Sequence, residues 1–157
     1  MKEETSNYKS IIIELEKEEY AIPVDVVGAI ERIQHITRVP RTASFVKGVI
    51  NLRGVVTPII DLRERFGMES VAYTESTRII IVHMGQFNVG FIVDAAYDVL
   101  DIPEESIEPA PQVIGTVDAD YIKSVAKVDK RLILMLDLEK VLSHESYQAA
   151  KSTEFEG

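Results

Sequence analysis

The residue types that carry catalytic chemistry are present in this chain, but their spacing does not form a catalytic set. The three histidines, His35, His83 and His144, are far apart in sequence, and none stands two or four residues from another. This spacing argues against a histidine metal site. The chain has no cysteine and no Gly-x-Ser-x-Gly sequence, so no activated nucleophile is recognisable. We therefore expect no catalytic residue, no bound metal and no cofactor.

Two short segments resemble ligand-binding loops but lack the residues that such loops need. Glycines bracket residues 48–54, yet the Lys-Ser/Thr pair and the following helix of a phosphate loop are missing. Asp118 and Asp120 stand in "VDAD", without the further oxygen ligands and the glycine of a calcium loop. Neither segment therefore indicates a bound phosphate or calcium ion.

A single arginine between two apolar runs is better suited to recognition than to catalysis. Arg53 is followed by Gly54 in "GVINLRGVVTPIID", residues 48–61. Burying an unpaired charge in an apolar interior is costly, so this guanidinium must reach solvent or a partner. The pattern predicts two strands joined by a tight turn at Arg53-Gly54, with Gly54 supplying a positive φ.

Two interpretations of Arg53 follow from this position. In the first, it is a solvated turn residue that keeps a sheet edge from pairing with another chain. In the second, it stands with Asn51 at the rim of an apolar groove and offers its donors to a partner's carboxylate or carbonyl groups.

The composition favours a globular protein whose partners are other proteins. Of the 157 residues, 46% are hydrophobic and 27% charged, and the formal net charge is −9. This charge argues against nucleic acid or an anionic membrane as the main partner. The longest early apolar run, Ile11–Ile13, is too short for a signal core or a membrane span. We expect a cytoplasmic protein that neither binds nucleic acid nor inserts into a membrane.

The sequence contains an internal repeat. The stretch "SIIIELEKEEYAIPVDVVGAI", residues 10–30, is similar to "RIIIVHMGQFNVGFIVDAAYDVL", residues 78–100. Each opens with three isoleucines and reaches a Val-Asp pair, at Asp25 and Asp94. About half a chain apart, "IIDLRERF" matches "MLDLEKVL" in the same way. The repeat predicts two similar lobes, at about 8–66 and 78–142, with crossovers between them allowed.

Most of each lobe is predicted to form short β-strands. The predicted strands are β-branched and separated by turn residues, and they cover residues 11–15, 20–24, 29–33, 48–52, 55–60, 78–83, 88–93, 97–102, 121–128 and 131–136. Five strands suit a small closed barrel, which has no exposed edge. Asp61 and, more weakly, Asp137 predict the caps of two short helices. We expect a single mainly β domain of two five-stranded barrels with a few short helices, and a mobile tail at 143–157.

The stretch "VKGVINLRGVVTPIIDLRERFG" resembles the signature of the CheW family of chemotaxis coupling proteins. The resemblance continues through "YAIPVDVVGAIERI", "RIIIVHMGQFNVGFIVDAAYDVL", "IEPAP" and "RLILMLDLEKVL", so it extends from Tyr8 to about Leu142. It implies two SH3-like β-barrels around a shared core and a non-catalytic adaptor. Such adaptors bind the regulatory domain of a histidine autokinase and the cytoplasmic tip of chemoreceptors. In the family, the receptor's helical hairpin occupies the groove between the barrels, and the kinase contacts the barrel ends.

The resemblance also implies binding residues. Carried over position by position, the receptor groove would comprise Val27, Ile30, Glu31, Gly48, Asn51, Arg53, Gly54 and Val99. The kinase contact would include Arg78, which is less apolar than the residue that many members have there. Many relatives have Glu at the position of Ala29, and here the nearest acid is Glu31, on the same face of a strand. Two alternatives stay open: a regulatory module of a related kinase or of a receiver-fused signalling protein, and a small-ligand binding protein.

Overall fold

The structure, a computed structural model, describes residues 7–110 and 121–142. Its strands are β1 (Asn7–Leu15), β2 (Glu18–Pro23), β3 (Val27–Arg32), β4 (Val46–Leu52), β5 (Val55–Asp61), β6 (Arg78–Met84), β7 (Phe87–Val93), β8 (Ala95–Pro103), β9 (Ile107–Pro109), β10 (Ile122–Val128) and β11 (Arg131–Leu136). Two short helices, α1 (Leu62–Arg65) and α2 (Leu138–Val141), follow β5 and β11. The predicted strands are confirmed, whereas β9 was missed. Asp118, Asp120, His144 and the predicted tail lie outside the described residues.

The strands form two sheets, which confirms the mainly β class with short helices. One sheet has the order β8-β1-β2-β11-β10-β9, and the other has the order β3-β6-β7-β5-β4. Neither sheet closes into a barrel, because the strands at its two ends are not paired with each other. The expectation of closed five-stranded barrels was therefore wrong in this detail. The end strands are β8 and β9 in the six-stranded sheet and β3 and β4 in the five-stranded sheet.

The isoleucine triplets of the repeat mark two strands, β1 and β6, that are buried on both faces. In β1, Ile12 packs inside the six-stranded sheet, while the isoleucines on either side of it pack into a cluster shared by both sheets. In β6, Ile80 packs into the shared cluster, and its two neighbours pack inside the five-stranded sheet. Because successive side chains alternate between faces, a strand covered on both sides needs a continuous apolar run.

Each sheet takes strands from both halves of the sequence. The hairpin β1–β2 belongs to the six-stranded sheet, but the next strand, β3, pairs with β6 in the other sheet. In the second half, the hairpin β6–β7 belongs to the five-stranded sheet, and β8 crosses to pair with β1. The segments 8–66 and 78–142 are thus repeats of sequence, but neither of them forms one sheet by itself.

The predicted helix caps are confirmed. Asp61 accepts hydrogen bonds from the backbone N–H groups of Arg63, at 2.9 Å, and Glu64, at 3.4 Å, and so caps α1. Asp137 accepts one from the N–H of Lys140 at 3.2 Å and caps α2. Burial raises the pKa of Asp61, and the two backbone hydrogen bonds oppose that rise only in part. The short helix α1 is therefore fixed at its start by a buried carboxylate.

A bidentate ion pair connects α1 to the strands that cross between the sheets. The Nε and Nη2 atoms of Arg63 donate to the two carboxylate oxygens of Asp94 at 2.8 and 2.7 Å. Asp94 lies between β7 and β8, and it also accepts the backbone N–H of Glu16, in the β1–β2 turn, at 2.9 Å. Its counterpart in the repeat, Asp25, is exposed, and within the described residues its carboxylate has no hydrogen-bonded partner. The Arg63–Asp94 pair therefore stabilises the crossover from β7 to β8. Within the described residues, Asp25 provides no equivalent pair at the crossover from β2 to β3.

We expect Asp94→Asn to lower the free energy of unfolding by about 2 kcal/mol, because it removes charge-assisted hydrogen bonds and leaves a largely buried guanidinium without its closest counter-ion. Asp25→Asn is the matched control and should change this free energy by less than about 0.5 kcal/mol. Urea denaturation measures both values. Equal losses in the two variants would contradict the role of the Arg63–Asp94 pair.

The contribution of Asp94 should fall in acid. Burial raises the pKa of Asp94, but the hydrogen bonds from Arg63 and the Glu16 N–H, with the charge of Arg63, bring it below its usual value. Such a carboxyl stabilises the native state above its unfolded-state pKa of about 3.9 and loses this effect as the pH falls through its folded-state pKa. The stability difference between wild type and Asp94→Asn should stay constant between about pH 7 and 5 and shrink below about pH 4. A difference that grows in acid, in urea denaturation at a series of pH values, would refute this assignment.

Candidate partner-binding surface

The β4–β5 hairpin presents Arg53 on a two-residue turn. Leu52 and Val55 are paired across the hairpin, and both residues between them have positive φ, +52° for Arg53 and +86° for Gly54. This conformation fits the twist of a hairpin, so the predicted tight turn is confirmed. A positive φ costs a non-glycine residue about 1–2 kcal/mol. The Gly54 N–H donates to Asn51 Oδ1 at 2.8 Å, which holds the turn in this form.

The guanidinium of Arg53 is largely exposed and has one ionic partner. Its Nη2 atom lies 3.4 Å from Oε2 of Glu31, in β3, and the Arg53 side chain is 75% exposed against 21% for Glu31. An exposed pair of this kind contributes at most about 1 kcal/mol to stability. The pair therefore orients the arginine while most of its donors stay open to water. A partner with carboxylate or carbonyl oxygens can reach them directly.

The Arg53–Glu31 contact joins opposite edges of the five-stranded sheet. β3 and β4 are the end strands of this sheet, yet Ala29 of β3 packs in the same apolar cluster as Ile50 of β4. Thr37, beyond the end of β3, exchanges two backbone hydrogen bonds with Val49 at 2.9 and 2.8 Å. The sheet is therefore strongly curved, and its curvature brings Glu31 within reach of the hairpin turn.

Gly48 has a structural reason for being glycine. A Cβ atom at this position would lie 2.0 Å from the carbonyl oxygen of Thr37, and the φ of Gly48 is +139°. The segment after β3 thus crosses directly over β4 at Gly48. This buried contact maintains the curvature that brings the two edges together.

The structure distributes the remaining predicted groove residues over two sheets. Ile30, 43% exposed, follows Ala29 in β3 and lies on the opposite face from Glu31. Val27 is partly buried against the shared cluster. Val99, 48% exposed, lies on β8, the edge strand of the other sheet. Among the predicted groove residues, the side-chain hydrogen bonds and ion pairs of the described part of the chain connect the hairpin turn with Asn51 and Glu31 and with no other member.

Arg78 begins β6 and holds the turn that precedes it. Its Nη1 atom donates to the carbonyl oxygens of Glu75, at 2.8 Å, and Thr77, at 2.9 Å. Arg78 is paired with Arg32 across β3 and β6, and Glu31 is paired with Ile79. Glu31, a predicted groove residue, and Arg78, the predicted kinase contact, therefore lie at one end of the five-stranded sheet but on opposite faces of it.

Sequence reasoning missed two features near these residues. Tyr97 is 49% exposed two residues before Val99, and its hydroxyl donates to Glu14. The apolar residues at positions 97 and 99 of an edge strand were the available signal. Arg65 was also missed: its Nε donates to the Val141 carbonyl at 2.9 Å, which ties α1 to α2. No signal in the local sequence distinguishes this arginine from a solvated one.

The described part of the chain contains neither a cluster of metal-ligating side chains nor a membrane-spanning helix. Over residues 7–110 and 121–142, no three His, Asp or Glu side chains come close enough to hold an ion. Over the same residues, no helix is both long and apolar enough to cross a bilayer. The surface offers exposed apolar side chains and an oriented arginine, which are features of a protein that binds other proteins.

Comparison with known proteins identifies the family. The CheW-like domain matches residues 9–146. The chemotaxis protein CheW of Bacillus subtilis is 43% identical over 142 residues, which cover 90% of this chain and 91% of that protein. The CheW of Klebsiella aerogenes is 40% identical over 142 residues, with 90% and 86% covered. The crystal structure of the scaffolding protein TtCheW from Thermoanaerobacter tengcongensis superimposes with a TM-score of 0.83 at 34% identity and covers 90% of this chain and 96% of that one.

The fold and the surface define a scaffold protein and not an enzyme. Its relatives are chemotaxis proteins, and a solved relative is described as a scaffold. The chain belongs to the CheW-like family. It is a non-catalytic adaptor of chemotaxis, as the resemblance implied.

We expect Gly48→Ala to lower the free energy of unfolding by about 3 kcal/mol, because the new methyl group adds a backbone clash to an unfavourable φ. Gly67→Ala is the control, since Gly67 also has a positive φ, +80°, but nothing lies near its missing Cβ. The control should lose about 1 kcal/mol. Thermal and urea denaturation measure both. A Gly48→Ala protein of wild-type stability that no longer bound a partner would instead make this glycine part of the binding surface.

Proposed function

We propose that this protein couples chemoreceptors to a histidine kinase in the cytoplasm. In this proposal the receptor's cytoplasmic tip binds at the Arg53 turn, and the kinase regulatory domain binds at Arg78. The observation that carries the proposal is the display of the Arg53 guanidinium, 75% exposed, on a tight turn with a strained backbone. A strained residue that the surrounding structure holds in place is a reason to infer function at that point.

The chemistry around Arg53 suits a helical partner. Helix-in-groove recognition needs apolar anchors together with a few oriented polar groups. Ile30 and Val99 are exposed apolar side chains on the edge strands of the two sheets. Arg53, oriented by Glu31, supplies the polar group. With Val27, Asn51 and Gly54, these residues make up the proposed receptor surface, while the buried Gly48 supports it by letting Thr37 pack against β4.

The position of Arg78 supports a second, separate contact. Glu31, the ionic partner of Arg53, and Arg78 belong to opposite faces at one end of the same sheet, whereas Ile30 shares the face of Arg78. Two partners bound there would be held close to one another by a single rigid element. This arrangement is what an adaptor between a receptor and a kinase requires.

Charge supports the choice of proteins as partners. The net charge of −9 disfavours nucleic acid and anionic membranes, which attract positive surfaces. A location in the cytoplasm follows from the proposed partners, since the receptor tip and the kinase are both found there in the family.

Replacing Arg53 tests the receptor surface. We expect Arg53→Ala to weaken the binding of a receptor-tip fragment by about 30-fold, equivalent to about 2 kcal/mol, which is typical of a hot-spot arginine. Arg131→Ala is the control, because Arg131 is another exposed arginine paired with a carboxylate, that of Glu19, in the other sheet. Isothermal titration calorimetry measures both affinities. Equal affinities for wild type and Arg53→Ala would refute the proposed surface.

The same variants separate the two proposed contacts. Arg53→Ala should leave the affinity for the kinase regulatory domain unchanged, because Arg53 stands in the β4–β5 turn and pairs with Glu31, which lies on the other face from Arg78. Arg78→Ala should weaken the kinase complex and leave the receptor complex unchanged. If either variant weakened both complexes equally with its fold intact, the separation of the two contacts would be wrong.

A further inference from the structure

A second cleft lies outside the proposed receptor and kinase contacts. It has a volume of about 700 Å³ and is formed where the connection from β3 to β4, residues 36–44, faces residues 70–73, which lead from α1 to β6. None of the residues assigned to the receptor or kinase surfaces lines it. We call it the Arg38–Arg41 cleft after the two arginines in its wall.

The Arg38–Arg41 cleft carries uncompensated positive charge in an acidic protein. Both arginines are exposed, and within the described residues neither guanidinium has a hydrogen bond or an ion pair. Five of the other arginines are engaged with carboxylates or carbonyl groups: Arg53, Arg63, Arg65, Arg78 and Arg131. Arg32 is also exposed and unpaired within the described residues, but it does not line the cleft. Lys47 also lines the cleft, but it is paired with Glu64. Two free guanidinium groups at one cleft of a chain with a net charge of −9 make a local site for an anion.

Apolar side chains line the same cleft beside these charges. Val71 is 46% and Tyr73 is 41% exposed, although both belong to the cleft wall. Val39 and Pro40 lie on the opposite side, within the connection that carries the two arginines. A ligand that matches this lining has acidic groups together with at least one large apolar group. Inorganic anions lack the apolar part.

The loop that carries the arginines is held in a defined shape. Arg41 has a φ of +64°, in the left-handed region that non-glycine residues seldom adopt. The Thr42 hydroxyl donates to the Val39 carbonyl at 3.1 Å, and the Val46 N–H donates to the Ala43 carbonyl at 2.9 Å. The backbone is fixed in an unfavourable conformation at Arg41 itself. The direction in which the Arg41 side chain leaves the backbone is therefore set before a ligand binds, which reduces the entropic cost of binding.

We propose that the Arg38–Arg41 cleft binds an acidic peptide segment of a partner protein. Carboxylates of the segment pair with the two guanidinium groups, and an apolar side chain packs between Val39 and Tyr73. Nucleic acid is the less favourable occupant, because its regularly spaced phosphates would extend beyond the two arginines over an acidic surface, whereas a short peptide segment can confine its carboxylates to the arginines. This contact is additional to the receptor and kinase contacts proposed above.

The test uses the full chain and a fluorescein-labelled hexapeptide, Glu-Glu-Leu-Phe-Glu-Glu, in fluorescence anisotropy titrations at low and physiological salt. We expect saturable binding that weakens as salt is added, because the pairs with the arginines are exposed. The double variant Arg38→Glu/Arg41→Glu should weaken binding by at least about tenfold, as expected when charge attraction becomes repulsion. Tyr73→Ala should weaken it by a smaller factor.

The control variant is Lys17→Glu/Lys130→Glu, which changes the net charge equally at two exposed turns of the other sheet. It should bind the peptide within about twofold of wild type, since a distant surface charge has little effect at physiological salt. Arg53→Ala should also bind as wild type does, so a failed receptor proposal would leave this result intact. Absence of saturable binding, equal losses in the two charge variants, or tighter binding of a hexanucleotide of deoxythymidine would each overturn the proposal. Circular dichroism confirms that every variant is folded.

Discussion

The structure depends on the burial of β1 and β6 on both of their faces. One face of each strand packs into the apolar cluster of its own sheet, and the other face packs into the cluster that both sheets share. Neither sheet can therefore be removed without exposing a strand of isoleucines to water, at a cost of about 2 kcal/mol for each large side chain. The chain connections add a second reason, because the six-stranded sheet takes the hairpin β1–β2 from the first half of the sequence and the five-stranded sheet takes the hairpin β6–β7 from the second half.

This interlocked core explains how a small protein can present precise contacts from its edges. The five-stranded sheet is held along β6 and β7 by the shared cluster, while its edge strands β3 and β4 carry Glu31 and the Arg53 turn. The crossing of Thr37 over Gly48 fixes the curvature between those edges. Arg53 thus has an exposed side chain and a defined backbone. An arginine with the proposed binding role benefits from both properties, because its position is pre-organised and most of its donors are open to solvent.

The departure from the family pattern at Ala29 has a simple structural consequence. Ala29 packs into the interior of the five-stranded sheet, where a carboxylate would need a partner. Glu31, two residues along the same face, lies beyond that cluster and reaches Arg53 at 3.4 Å. Glu31, which stands two residues after Ala29 in the same strand, therefore contacts the arginine of the turn. The contact depends on the curvature of the sheet as much as on the identity of the residue.

The sequence alone determined the elements of this protein and the residue types of its binding turn. The isoleucine triplets, the Val-Asp repeat, the caps at Asp61 and Asp137 and the turn at Arg53-Gly54 are local patterns, and local backbone and packing preferences are enough to interpret them. The tertiary structure decided which strands pair, since exchange of the hairpins β1–β2 and β6–β7 between the sheets and pairing within each half use the same apolar patterns. It also decided that Asp94 is tied to Arg63 while Asp25 stays exposed, and that Arg38 and Arg41 share a cleft. These outcomes depend on contacts between residues distant in the chain, for which the spacing of residue types carries no signal.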